Sequence, residues 1–332
     1  MNFYICIVND IELYYNLICT PYKFKGFQET GSLTGWSSVM PTAINWKDEY
    51  FVSKERIVLT NHEISIPGIR LLATHKIQNA ILPLIPHYHE NAFEFTLVVK
   101  GSMSFYTDHK EYSVPGGSVF VSFPDEIHST NDIPISLNHQ YWIQVDISNP
   151  RNFLYLNEDT ALELIHDLSS ISRHVVATDN KEIRRAIEKA FQLCQISGHH
   201  RQAAAYLLIF LELLIASSQE SRYHRSPDIE KAVTYIREHI TEELSLDDLA
   251  RLSNLSTSQF KQKFRHVVGI SPRNYINEKK ISHSKKLLME GHSVTDVAMN
   301  LSFNSSSYFS TVFKKYTMKT PYQYISEHRV NK

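Results

Sequence analysis

The feature that most constrains this chain is a pattern that occurs twice in its last third. Ser245-Leu-Asp-Asp248-Leu-Ala250 is matched by Ser293-Val-Thr-Asp296-Val-Ala298 at an offset of 48. Phe260, Phe264 and Arg265 are matched by Phe309, Phe313 and Lys314 at an offset of 49, so one residue is inserted between the two blocks. Each copy predicts a short helix, a turn and a second helix. Ser245 and Ser293 are N-caps by residue type, and Asp248 and Asp296 stand three residues on, in the capping-box position with Asp in place of Glu. Ala250 and Ala298 are small enough to let the two helices of each copy approach closely. This is helix-turn-helix grammar, written twice.

Helical geometry separates the faces of the second helix in each copy. At 3.6 residues per turn, Phe260, Phe264, Val267 and Val268 fall within an arc of about 100°, the expected buried stripe. Ser258, Lys261, Gln262 and Arg265 take the opposite arc. In the second copy Phe309, Val312, Phe313 and Tyr316 form the stripe, while Ser307, Ser310, Thr311 and Lys314 face away. An aromatic stripe is ordinary core. The polar, basic face of the first copy suits phosphates and base edges; such a face alone is usually just solvated, and the duplicated frame is what gives it meaning. Ser271-Pro272 predicts the start of a long intervening helix and Gly291 its end. That rod would space the two recognition helices, which must sit ~34 Å apart to enter successive major grooves.

Residues 228–329 resemble the DNA-binding domain of the AraC/XylS family of transcriptional regulators. The resemblance is carried by Leu244–Ala250, Ser256–Phe260, Phe264, Gly269–Pro272, Tyr275, Leu287-Leu288, Val294–Ala298, Phe303, Tyr308–Ser310, Phe313–Lys315 and Thr320-Pro321. It implies that Ser258, Lys261 and Gln262 read bases from the first recognition helix, and Ser306, Ser307 and Thr311 from the second. Arg265, Ser310 and Lys314 complete the expected DNA-binding set. Ser302 and Met318 stand where the family usually has Gly, Lys280 where Arg is common, and Ser284 where Ala is common. Gly supplies positive φ, so the first two substitutions put the local turns in question. The second face is rich in Ser and lacks Arg, and is expected to position more than specify.

Charge at first argues against this reading. The 332 residues carry 34 Lys+Arg and 35 Asp+Glu, a formal net charge of -1, whereas a nucleic-acid binder normally shows a basic footprint. Divided at the polar segment Ser221–Pro227, the sum separates: residues 228–332 hold 16 basic against 11 acidic groups, or +5, and residues 1–227 hold -6. The length predicts two or three domains. Composition, at 42% hydrophobic and 21% charged, excludes collagen-like, disordered and disulfide-dense chains. Cys6, Cys19 and Cys194 are too few and scattered for a disulfide framework, which points to a reduced cytoplasmic setting. The apolar N-terminus has no basic residue before its apolar run and contains Asp10 and Glu12, unlike a secretory signal. Tyr206–Ala216, with Glu212 inside, is too short to span a bilayer. The expectation is a cytoplasmic protein without a membrane partner.

The middle of the chain has a different texture. Ile57–Thr60 is strand-like. From Ile81 to Ile147, runs such as Glu94–Val99 before Lys100-Gly101, Ser102–Tyr106 before Thr107-Asp108 and Ser118–Phe123 before Pro124-Asp125 predict a small β-barrel or sandwich. After Pro150 no strand signal persists, and Leu162–Ser169, Lys181–Ile196 and Ala203–Ser217 carry helical apolar spacing. His87, His89, Glu94 and Gly101 form HxHx4Ex6G, which resembles the first motif of cupins. The second motif is degenerate: Gly117 and Pro124 precede His128, but Glu126 stands where Gly is usual and the His comes one residue early. Imidazoles and a carboxylate suit Zn, Fe, Ni or Mn; alternatively these side chains line a ligand pocket or satisfy one another. The second reading is the expectation, with no metal and no cofactor. The effector-binding set is then His87, His89, Glu94 and His128 at the barrel mouth, with Tyr106 and Trp142 as aromatic walls.

Together these readings predict an α+β multidomain chain. Residues 1–150 comprise an N-terminal segment and a cupin-like sensing β-barrel. Residues 151–226 are a helical dimerisation region and linker, and residues 227–332 an all-α domain of two helix-turn-helix units joined by a long helix. The expected function is ligand-responsive, sequence-specific regulation of carbohydrate or other small-metabolite genes, without enzymatic activity. Its partners would be double-stranded DNA, a small-molecule effector with sugars among the candidates, a second copy in a homodimer, and RNA polymerase if it activates. The competing expectations are a metal-dependent cupin enzyme with a DNA-binding tail, and a regulator that has lost its effector.

Overall fold

Alternation of side chains between Arg56 and Asp146 builds a strongly curved sheet with two unlike faces. The computed structural model of the chain describes residues 44–45, 53–131, 133–178, 181–219 and 226–329. Cys6, Cys19, the apolar N-terminus and most of the Ser221–Pro227 segment lie outside the described residues. The strands are β1 (Ile44–Asn45), β2 (Arg56–Thr60), β3 (Ile69–Ile77), β4 (His87–Tyr88), β5 (Ala92–Thr107), β6 (Lys110–Pro115), β7 (Ser118–Ser122), β8 (His128–Ser129), β9 (Asn138–Asp146) and β10 (Val175–Ala177); a short helix α1 (Asn61–Ile64) links β2 to β3. Their order is β1-β4-β8-β5-β9-β3-β2, with β6 on β5 and β7 between β5 and β10.

The pivot of the barrel is β5. Its first half pairs with β7 and β9, and its second half with β6 and β8. The runs Glu94–Val99 and Ser102–Tyr106, expected as two strands, are therefore one. Lys100-Gly101 is not a turn: a register shift between Val98 and Lys100 marks a bulge, which adds one residue and bends the strand. Gly101 completes the bend at φ +90, where a Cβ would stand 2.2 Å from the Leu137 carbonyl oxygen. The true reversal is at Asp108 (φ 47) and His109 (φ 57), a type I′ pair joining β5 to β6.

One face of the sheet is apolar. Phe93, Phe95, Leu97, Val119, Val121, Tyr141, Ile143 and Val145 share a core with the helices α2 (Glu158–Ser169), α3 (Lys181–Cys194) and α4 (His200–Gln219). Leu207, Phe210, Leu211 and Leu214, whose apolarity suggested a dimerisation helix, are fully buried against the chain's own sheet. By length and composition α4 reaches a membrane span, longer than its eleven-residue apolar run implied, yet seven of its residues are buried. Burial in this core also pushes the Cys194 thiol up to about 11. The strand β10 corrects the reading that strands end at Pro150; three residues on β7 are too few to show a period.

The last third is helical: α5 (Pro227–Glu238), α6 (Leu246–Leu252), α7 (Thr257–Val268), α8 (Pro272–Met289), α9 (Val294–Asn300), α10 (Ser306–Thr317) and α11 (Pro321–Arg329). Ser245 and Ser293 cap α6 and α9 as expected. The expected box forms differently in the two copies. Ser293 Oγ donates to Asp296 at 2.6 Å, whereas Asp248 pairs with Arg251 and Ser245 accepts from the Asp247 N–H. A full capping box lies instead at Ser256 and Gln259, at the head of α7. Two separate cores result, one around Phe260 and Phe264 and one around Phe309 and Phe313. Between them, Lys280 is buried with its ammonium 5.5 Å from the Phe303 ring centroid, and Ser284 Oγ turns back to the Ile281 carbonyl.

The repeat extends to backbone conformation. Asn254 (φ 54) and Ser302 (φ 51) occupy the same left-handed turn, and so do Gly269 (φ 82) and Met318 (φ 66). The turns put in question by the missing glycines are kept, at the cost of a Cβ in a left-handed conformation. Met318→Gly should therefore stabilise the second unit by about 0.5–1 kcal/mol, the Cβ penalty less the added chain entropy of glycine. Urea denaturation followed by circular dichroism checks this; a lower midpoint would show that the half-buried Met318 side chain matters more than its backbone.

Candidate effector barrel and DNA-facing helices

The second face of the sheet lines the barrel, and its residues follow from register. Three cross-strand rows run over β2, β3, β9, β5 and β7: Arg56–His75–Gln140–Val98–Ser118, Val58–Ala73–Trp142–Thr96–Phe120, and Thr60–Leu71–Gln144–Glu94–Ser122. Arg56, Gln140, Gln144, Glu94, Thr96 and Ser122 are all buried. The Arg56 guanidinium lies over Trp142, 5.1 Å from the ring centroid. Burial, aided by Arg56, pushes His75 down to about 4, so it is neutral at physiological pH. Ser122 Oγ and Gln140 Oε1 are buried without a hydrogen-bond partner. Buried polar atoms are normally satisfied, so these two mark the polar part of this face.

At one end of the barrel the three histidines and Glu94 converge. β4 and β8 pair at His87 and His128, and Thr107 of β5 pairs with His128. The ring centroids are 4.2 Å apart for His87 and His128, 5.1 Å for His87 and His89, and 5.3 Å for His89 and His128. His89 Nε2 is 3.1 Å from Glu94 Oε2, and Gln144 Nε2 donates to the same oxygen at 3.0 Å. Burial opposes the charge on Glu94 most strongly, but His89 and His128 outweigh it and hold the carboxyl well below the usual carboxylate range. Burial, reinforced by His128, drives His87 well below the usual imidazole value.

Of the expected aromatic walls, Trp142 is on this face and Tyr106 is not. Strict alternation from Glu94 would keep Tyr106 inside; the bulge after Val98 reverses the parity. Phe105 takes the inner position, stacked on Phe120 at 4.0 Å and 6.5 Å from the His128 ring. Arg56, Gln140, Gln144 and Ser122 are lining residues that sequence reasoning missed. The signal was available in β9, where Gln140, Trp142 and Gln144 alternate with Tyr141, Ile143 and Val145. Glu126, in the place of the cupin glycine, accepts from the Phe123 N–H at 3.0 Å and the Thr107 hydroxyl at 2.9 Å, and faces His174 Nε2 at 3.4 Å.

In the C-terminal third, Ser258, Lys261, Gln262 and Arg265 are all exposed on α7, opposite the buried Phe260, Phe264 and Val268. On α10, Ser307, Thr311 and Lys314 are exposed while Ser306 and Ser310 are half-buried. Thr311 Oγ1 donates to the Ser307 carbonyl at 3.1 Å, which occupies part of that polar face locally. Tyr308 adds an exposed aromatic ring near the head of α10.

The barrel rim touches the far ends of both helices. The Gly101 N–H donates to the carbonyl of Gly269, the C-cap of α7, at 3.3 Å, and Ser102 Oγ donates to Glu278 of α8 at 2.9 Å. The Ala80 N–H donates to the Lys315 carbonyl of α10 at 2.9 Å. Gly116 and Gly269 pack backbone to backbone: a Cβ on Gly116 would lie 2.6 Å from Gly269 Cα.

Residues 78–215 match the family model described as an AraC-like ligand binding domain, and residues 249–327 match a helix-turn-helix domain model. An uncharacterised HTH-type transcriptional regulator of Staphylococcus aureus (strain MSSA476) is 23% identical over 243 residues, 70% of this chain and 31% of that protein. This chain thus spans under a third of that regulator's length. The HTH-type transcriptional activator RhaS of Salmonella schwarzengrund is 23% identical over 240 residues, 69% of this chain and 84% of its own. Among solved structures, ToxT from Vibrio cholerae aligns with 82% of this chain and 98% of its own at 15% identity, with a TM-score of 0.30.

Proposed function

Because the chain belongs to the AraC family of transcriptional regulators, we propose that it binds a specific double-stranded DNA site through α7 and α10, under control of a small ligand in its barrel. The family is one of regulators rather than of enzymes. The observation that carries the reading is the rim contact: one edge of the polar-lined barrel holds the C-terminal ends of both recognition helices, at Gly269 and Lys315. A ligand that shifts the rim changes how the two helices are presented, and it does so only through unequal affinity for the two arrangements. The buried Arg56, Gln140 and Gln144 beside Trp142 favour a polar metabolite, sugars included, and the genes controlled would handle such metabolites. Tyr206 and Ile209, exposed on α4 after its other face is buried, support a homodimer through that helix. The protein would act in the cytoplasm, with RNA polymerase as partner where it activates.

The test is binding to DNA from upstream of its own gene against random DNA of equal length, at several salt concentrations. We expect a clear preference and a log–log salt slope of about -0.9 per phosphate contacted. Lys261→Ala or Gln262→Ala should relax preference at one half of the site, by about 1–3 kcal/mol per lost base contact, leaving the other half unchanged. Equal affinity for both DNAs would sink the proposal.

A further inference from the structure

We propose that Ser302 determines specificity for the spacing of two DNA half-sites: its hydroxyl latches the second helix-turn-helix unit to the first, away from α8, and so fixes the angle between α7 and α10. The spacing half rests on those two helices being the DNA readers; the latch itself does not. α8 passes from one core to the other between Ile276 and Ile281: Tyr275 and Ile276 belong to the first, Ile281 and Leu288 to the second. Two small cores joined by a single helix can still twist and bend about it. A second contact off the helix axis removes that freedom.

The contact is Ser302 Oγ, which donates to the Thr241 carbonyl at 3.0 Å across 61 residues of sequence. Each end is anchored in its own unit. Thr241 follows Ile240, which is buried in the first core, and the Glu242 N–H donates to the His239 carbonyl at 3.0 Å in the loop between α5 and α6. Ser302 precedes Phe303, which is buried in the second core, and the Ser302 and Phe303 N–H groups donate to the Met299 and Ala298 carbonyls at 2.9 Å. The buried Lys280 adds a charge to the same junction, 5.5 Å from the Phe303 ring centroid. Burial lowers its ammonium from the usual lysine value, and the Glu243 carboxylate of the α5–α6 loop opposes that. Ser302 itself adopts φ 51, a conformation that favours glycine. Glycine would adopt it without strain but has no hydroxyl, so the strained residue is the one that makes the bond. Half-sites in successive major grooves are ~34 Å and about 10.5 base pairs apart, so one added base pair shifts the second by ~3.4 Å and turns it by ~34°. Helices held at one angle cannot follow that turn without opening the latch or deforming the DNA.

The full-length chain is compared with Ser302→Gly and Ser302→Ala. Both lack the hydroxyl, but glycine relieves the left-handed backbone and alanine keeps it, so the glycine variant should melt above the alanine variant. The probes are the upstream DNA site protected by the wild-type chain, and the same DNA with one base pair inserted or removed between its halves. We expect the affinity ratio of native to altered spacing to fall by about 3–10-fold in both variants, the span of one hydrogen bond. Without DNA, amide exchange of Glu242, whose sequence neighbours are unchanged, should quicken by about the same factor in both. A spacing ratio that followed melting temperature, falling in the alanine variant alone, would mark Ser302 as merely structural and overturn the proposal. Unchanged Glu242 exchange overturns the latch, and faster exchange with an unchanged spacing ratio overturns its role on DNA. A wild-type chain that prefers no DNA sequence would instead defeat the regulator reading, and Glu242 exchange would still decide the latch.

Discussion

Phe260→Ala is expected to remove about 3–5 kcal/mol from the first helix-turn-helix unit, the cost of deleting a fully buried aromatic side chain together with the cavity left behind. Phe260 is 0% exposed and meets Phe264 edge to face at 5.4 Å. Its core is small, built from α5, α6, α7 and the start of α8. A unit of that size has little stability to spare, so the variant should populate an unfolded first unit while the second persists around Phe309 and Phe313. Hydrogen exchange should show fast exchange confined to residues 227–276, and protection of bound DNA should be lost over one half of its site. Phe309→Ala, by the same reasoning, should lose the other half. Loss of both halves by either variant would show that the two units fold as one.

Gly116→Ala should free the recognition helices from the barrel without unfolding either part. The Gly116 backbone is outside the left-handed region, so alanine costs the barrel turn nothing in φ. What its Cβ would meet is backbone: Gly269 Cα at 2.6 Å, O at 2.8 Å and C at 3.0 Å. Backbone cannot rotate aside as a side chain can, so the rim must separate from the α7 cap and the Gly101–Gly269 bond must break. If the contact restrains the two units in the ligand-free chain, affinity for target DNA rises by about 5–150-fold, the usual span of a coupling free energy. The melting profile should be unchanged. Gly269→Ala is the poorer probe, because φ +82 there also caps α7. A Gly116→Ala chain with wild-type DNA affinity would remove the rim contact from the mechanism.

Much of the DNA-binding part was legible because helical repeats write their faces locally. Phe260, Phe264, Phe309 and Phe313 are buried, and Ser258, Lys261, Gln262 and Arg265 exposed, as 3.6-residue counting requires. The barrel was legible only in outline. His87, His89, Glu94 and His128 meet as the motif suggested, but Tyr106 does not join them, since one extra residue at Val98–Lys100 turns every later side chain of β5 over. A bulge leaves no compositional mark strong enough to count through. The Arg56, Gln140, Gln144 and Ser122 lining escaped for another reason: these residues are spread over β2, β9 and β7, and only cross-strand register shows that they share a surface.

By itself the sequence determined the two helix-turn-helix units, their caps and stripes, and the division of charge into +5 and -6 halves, because these depend on residues within a few turns of one another. The tertiary structure alone decided three things. It buried α4 against the chain's own sheet, brought His128 Nε2 to 3.8 Å from Glu94, and set Gly116 on Gly269. Each joins residues far apart in the chain, and each depends on strand register and backbone approach to within about an ångström, which residue type and spacing do not encode.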